Sequence, residues 1–187
     1  MTGRDSTRPA SLGLATPGEA EPARFEVVRG GEADIPFIVA TERGEGYEHL
    51  VGRWNAEQHR AALADGRHTY FILRRGAEPL GFALLRDWAS AERSTLVKRI
   101  AVARPGLGHG RALLEGVAAK VFEETDAWRL HLGLFPENSR ARRAYEAVGF
   151  VAEGIARGSA FFGGSFRDEL IMALLRPDWE RRRANGE

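Results

Sequence analysis

The chain has 187 residues, 43% of them hydrophobic, which is enough for one domain with a sizeable core and too short for two of ordinary size. Lys and Arg number 27 against 26 Asp and Glu, a net charge of +1, so the molecule as a whole has no electrostatic pull toward nucleic acid or a membrane; the lack of cysteine excludes disulfides, a thiolate nucleophile and thiolate metal sites. No apolar run approaches the roughly 20 residues of a membrane span, and the N-terminus lacks the apolar core of a signal peptide, so a cytoplasmic protein is expected.

Residues 1–23 are rich in Thr, Ser, Pro, Gly and Ala without periodicity and are expected to be disordered. Phe25 to Val28 alternates as a first strand. Ile35, Ile38 and Val39 predict a short helix ending near Glu42, with Pro36 tolerable only at its start. Glu42, Glu45, Glu48 and His49 then cluster around Gly44, Gly46 and Tyr47 in what reads as a solvated loop. Asn55 is placed to cap a second helix that runs to Ala64, with Gly66 just past its end. Thr69–Leu73 and Leu80–Leu85 predict a hairpin of two strands.

The stretch from Leu96 to Glu124 carries the most information. An apolar, β-branched run to Val102 passes through Gly106, Gly108 and Gly110 into a segment whose apolar positions Leu113, Leu114, Val117, Ala118, Val121 and Phe122 recur at about 3.6 residues. The pattern is strand, glycine loop, helix. Glycines let several backbone N–H groups converge at a helix mouth, where anions bind, although a tight turn before a surface helix would look the same. A P-loop would need Lys-Ser/Thr after the last glycine, where Arg111-Ala112 stands. A dinucleotide fingerprint would need other spacing and an acid where Gly133, Leu134 and Phe135 follow.

Beyond that helix, Leu130, Leu132 and Leu134 alternate with Arg129, His131 and Gly133 as a strand expected to lie parallel to the one ending at Val102. Asn138 is placed to cap a helix with Ala141, Tyr145 and Val148 on its inner face and Gly149 at its end. Two further strands, from Val151 and to Leu175, join through Gly163-Gly164, and a charged tail is expected over residues 180–187.

The loop Gly108-His109-Gly110-Arg111-Ala112, after Ile100-Ala101-Val102, and the later run Asn138 to Phe150 (Asn-x-x-Ala-x-x-x-Tyr-Glu-x-x-Gly-Phe) together resemble the two signatures of the GNAT acetyltransferase superfamily. One departure is Pro105, which stands where that superfamily carries Arg or Gln, with Arg104 one residue early. Residues of the last two strands, Glu153-Gly154, Arg157, Arg167-Asp168 and Met172, are similar to the RimJ/RimL and polyamine acetyltransferase branch. The resemblance implies an α/β (α+β) fold: one domain over residues 24–179, a mixed, mostly antiparallel twisted sheet of about seven strands with a central parallel pair, and about four helices.

It further implies acetyl-CoA as co-substrate with no metal, bound by Ile100, Ala101, Val102, Gly106, Gly108, His109, Gly110, Arg111, Ala112 and Asn138, with Tyr145 as the catalytic group that protonates the departing thiolate. Arg142 and Arg143 are open to phosphate contacts or to plain solvation. The acceptor would be a small-molecule amine or a peptide N-terminus, and the protein a monomer or homodimer. The group that deprotonates the amine stays open among Glu42, Glu45, Glu48, Asp87, Glu92 and His131. A non-catalytic acyl-CoA sensor on the same fold, and a nucleotide-binding protein, are the competing readings.

Overall fold

The computed structural model describes residues 24–186; the segment read as a disordered N-terminal tail lies outside them. Seven strands form one sheet: β1 (Phe25–Arg29), β2 (His68–Arg75), β3 (Glu78–Arg86), β4 (Ser94–Val102), β5 (Arg129–Leu134), β6 (Val151–Phe162) and β7 (Ser165–Leu175). They stand in the order β1-β2-β3-β4-β5-β7-β6, with β4 and β5 as the one parallel pair. Five helices flank it: α1 (Ile35–Glu42), α2 (Ala56–Ala64), α3 (His109–Glu124), α4 (Ser139–Val148) and α5 (Arg176–Ala184). No helix among the described residues is long and apolar enough to cross a membrane.

The alternation within strands sorts the core into two layers. Leu113, Leu114, Val117, Val121 and Phe122 of α3 pack with Phe71, Leu85, Val97, Leu130, Leu132 and Leu174 on one face of the sheet. Ile38 of α1 and Ala62 of α2 pack with Tyr70, Ile72, Phe82, Leu84 and Ala101 on the other. Helix ends follow local chemistry. Asn55 accepts from Gln58 N–H while the Gln58 side chain accepts from Asn55 N–H, both at 2.9 Å, and Asn138 accepts from Ala141 N–H at 3.1 Å. Gly149 closes α4 at φ 106°.

One helix goes beyond those that the sequence marks. The segment read as a charged tail is helical to Ala184. Pro177 fits its first turn, and Trp179 packs on Phe122 with ring centroids 5.3 Å apart. Arg182 donates to Ala147 O at 3.3 Å and Arg183 pairs with Glu123. A single apolar anchor inside a charged run is too weak a periodic signal to read as a helix.

The layer under α1 is pinned by a buried polar network. Glu42, fully buried, accepts from Arg99 at 2.8 Å, from Trp54 N–H at 2.9 Å and lies 3.3 Å from His59 Nε2. His59 Nδ1 in turn meets the Tyr70 hydroxyl at 2.9 Å, and the Arg99 guanidinium stacks on Trp54 at 3.9 Å. Burial pushes the Glu42 carboxyl up, but hydrogen bonds from His59, Trp54 and Arg99 together with the Arg99 charge hold it net below its usual 4.5. A carboxyl depressed in the folded state stabilises the fold above its unfolded value, and that contribution is lost as pH falls through the lower folded value. Removing Glu42 strands Arg99 in a mostly dry site, so Glu42→Ala is expected to cost about 3 kcal/mol or more and to flatten the fall in melting temperature below pH 4.5, measured by thermal unfolding across pH.

Candidate active site

β4 and β5 pair only through Ser94, Thr95 and Leu96 against Arg129, Leu130 and His131. Beyond that point β4 runs on to Val102 and β5 to Leu134 without bridging each other, and the slot between them is the floor of a cleft of about 420 Å³. A bulge helps β4 turn away: Leu84 and Leu85 of β3 are adjacent, yet they face Arg99 and Val97, so Lys98 has no opposite number. Lys98 and Arg99 line the cleft at that level, and burial together with the charges of Arg86 and Arg99 pushes the Lys98 ammonium pKa down.

On its other edge β4 is paired with β3, and Ala103 N–H donates to Leu80 O at 2.8 Å. Strand alternation then turns the Ala101 amide toward β3 and those of Ile100 and Val102 toward the slot. Of the three β4 amides anticipated as ligand donors, Ala101 is therefore committed to the sheet. Val102 is met by a side chain that sequence reasoning did not single out. The Tyr47 hydroxyl donates to Val102 O at 3.1 Å and accepts from Val102 N–H at 3.0 Å, the two-point pairing that an amide would make. Burial pushes the Tyr47 phenol pKa up.

At the far end of the slot the chain turns through Gly106 at φ 90° and Gly108 at φ 77°, angles that side-chain-bearing residues adopt only with strain. Gly108 caps α3 and has no side chain to do it with, so the first-turn amides lack the side-chain acceptor that Asn55 and Asn138 give α2 and α4. That end of the cleft is built for an anion. Pro105, Gly106, Gly108, Gly110 and Arg111 line it, as does Arg140 from the first turn of α4. Arg140 has no carboxylate partner among the described residues, whereas Arg111 pairs with Glu115 at 2.7 Å. Arg140 shares a helical face with Ala141, Ala144 and Tyr145, and that spacing was the signal for it.

Other anticipated residues stand elsewhere. The His109 side chain is buried between Phe25, with ring centroids 5.5 Å apart, and Arg75, 3.4 Å from its Nε2. Neither it nor Ala112, which packs on the core, lines the cleft. Arg104 pairs with Glu78 outside it, and Arg142 pairs with Glu146 at 2.8 Å.

The Tyr145 side chain reaches the cleft from α4, 9% exposed and with no hydrogen-bond partner for its hydroxyl among the described residues. Burial raises its pKa far above neutrality, so the phenol keeps its proton. Asn138 also lines the cleft while its carbonyl caps α4. The six groups anticipated as bases are all absent from the lining. Glu42 is used internally, Glu45, Glu48 and Glu92 are exposed, and Asp87 pairs with Arg86 at 3.1 Å. His131 is half-buried on β5 with its pKa lowered by burial. The one carboxylate in the lining is Glu169 on β7.

Comparison with known proteins agrees with this architecture. The acetyltransferase (GNAT) family model matches residues 37–150. A probable N-acetyltransferase, YjcK, of Bacillus subtilis is 37% identical over 60 residues, a match that spans 32% of this chain and 33% of that relative. Among solved structures, a mutant form of the spermidine N-acetyltransferase SpeG from Vibrio cholerae superposes with a TM-score of 0.73 at 20% identity, covering 85% of this chain and 98% of that one. SpeG from the same organism in complex with CoA and spermine gives 0.72 at 20% identity, over 83% and 98%. The ribosomal-protein-S18-alanine N-acetyltransferase of Escherichia coli gives 0.65 at 22% identity, over 81% and 94%. At such identities the structural likeness speaks for the fold, and the family model, which spans more than half of the chain, assigns the family: this chain belongs to the acetyltransferase (GNAT) family.

Proposed function

We propose that the protein is an acetyl-CoA-dependent N-acetyltransferase that moves the acetyl group to a primary amine by direct attack, acting as a monomer or homodimer. The observation that carries the reading is the meeting, in one cleft, of a stretch of β4 backbone that β5 leaves unbridged and the Tyr145 hydroxyl, which has no hydrogen-bond partner among the described residues. Main-chain donors in an opened strand suit the amides of a pantetheine arm, and the uncapped first turn of α3 with Arg140 beside it suits the pyrophosphate. The double hydrogen bond of Tyr47 to Val102 marks where such an amide would sit.

In this reading each group has a task. The Ile100 amide, turned into the slot, donates to the thioester oxygen as charge develops there. Tyr145, still protonated at neutral pH, donates to the sulfur as the C–S bond breaks. The acceptor amine enters from the α1 and α2 side, past Leu50, Val51 and Gly52. The SpeG neighbours are described as spermidine acetyltransferases and the Escherichia coli neighbour as acting on an alanine of a ribosomal protein, so polyamines and protein N-termini are the acceptors to try first.

The test is a screen of such amines with acetyl-CoA, read as free thiol, beside the melting temperature with coenzyme A, ATP and NAD. Amine-dependent thiol release and a shift with coenzyme A alone are expected. Stabilisation without release would leave a non-catalytic acyl-CoA-binding module, and stabilisation by ATP or NAD instead would overturn the assignment. Tyr145→Phe is expected to lower kcat about a hundredfold or more with little change in the acetyl-CoA KM. Tyr47→Phe frees both Val102 groups for the ligand and is expected to lower that KM about fivefold, the worth of one hydrogen bond, measured by steady-state titration of acetyl-CoA.

A further inference from the structure

Resting on the acetyltransferase reading, we infer that Glu169 is the group that receives the incoming amine, and that the acceptor is therefore a cationic amine held by its ammonium. Among the described residues Glu169 is the one acidic side chain lining the cleft, against the cations Lys98, Arg99, Arg111 and Arg140. Those cations leave little else there to hold a positive nitrogen.

Its position is set by the sheet. Glu169, Ile171 and Ala173 alternate along β7 with Leu170, Met172 and Leu174, which belong to the core packed on α3 and α4. Glu169 thus projects to the opposite face, the one α1 and α2 cover. It lies across Gly133 of the neighbouring strand: a Cβ built at that glycine would fall 2.6 Å from Glu169 Oε1. Glycine at 133 makes the room that the carboxylate occupies. Carrying the Leu96–His131 register two residues forward brings Gly133 level with Lys98, at the bulge where β4 leaves β5. The carboxylate therefore stands beside the opening of the slot, away from the glycine loop and on the side from which an acceptor enters.

Its hydrogen bonding is half used. The Ser159 hydroxyl donates to Oε2 at 2.8 Å and fixes the side chain, while Oε1 has no partner among the described residues. Nearby arginines do not neutralise it. Arg167, two residues before it, is taken by Glu137 and by His49 O at 2.9 Å and stacks on Phe135 at 3.5 Å. An ammonium donating one N–H to Oε1 would have its nitrogen beside the slot, and once it gives up a proton to solvent the same nitrogen has the lone pair that attacks an acyl group held by the β4 amides.

Steady-state kinetics with acetyl-CoA and a polyamine or simple alkylamine test the assignment, with Glu169→Gln, Glu169→Asp and wild type compared. Glu169→Gln is expected to raise the acceptor KM by about tenfold to a hundredfold, the loss of a hydrogen bond to a charged group, with the acetyl-CoA KM and the melting temperature unchanged. Glu169→Asp, which keeps the charge, is expected to recover part of that loss. An unaltered acceptor KM in Glu169→Gln overturns the role of Glu169 while leaving the acetyltransferase intact. A wild-type protein that releases no thiol with any amine overturns the reaction itself, and this inference with it.

Discussion

The parting of β4 from β5 after three bridged residues is the constraint around which the site is arranged. Two parallel strands that stay together satisfy each other's peptide groups, whereas strands that diverge leave N–H and C=O groups facing a gap, and such groups are costly unless something meets them. Here the Tyr47 hydroxyl meets both polar groups of Val102. The bulge at Lys98 lets β4 stay registered with β3 while it turns from β5. Each face of the gap then brings its own chemistry: Tyr145 rises from the α4 side, and Glu169 stands on the side of α1 and α2.

Charge is distributed unevenly along the cleft. At the glycine loop the uncapped amides of α3 and Arg140, which has no carboxylate partner among the described residues, favour an anion, and the one acid in the lining, Glu169, stands on β7 instead. At the bulge Arg99 is already matched by buried Glu42, so its charge is spent on the fold rather than on a ligand. A buried ion pair of this kind adds little net stability over an apolar pair, but it costs heavily when one partner is removed. Its effect here is positional. Glu42 is held by groups from α2, the loop before it and β4, so the layer formed by α1 and α2 is tied to the same strand whose backbone faces the slot.

Much of the fold was legible because it rests on local rules. Period-two alternation in β5, period-3.6 spacing in α3, the caps Asn55 and Asn138, and the left-handed stop at Gly149 each follow from a few adjacent residues, and the structure has all of them. The glycine loop and Tyr145 were legible for the same reason, since a motif is a local pattern. The helix over 176–184 was not, because Trp179 becomes an anchor only when Phe122 is brought beside it. The direction of the His109 ring was not legible either: the residue sits inside the loop motif, yet its ring turns to Phe25, 84 positions earlier in the chain.

Apart from the helix over 176–184, the strands, the helices, their ends, and the order of a phenol and a glycine turn can be read from local patterns along the chain. Those properties depend on backbone preferences and on the spacing of apolar side chains along one segment. Which acids and bases share a space comes instead from the packing of distant segments. It sent Glu42 inward to Arg99, left Glu45 and Glu48 on the surface, and brought Glu169 of β7 over Gly133 of β5. The physical reason is that an electrostatic contact depends on separation in space, and the register between strands far apart in the chain, which no single segment encodes, is what fixes that separation.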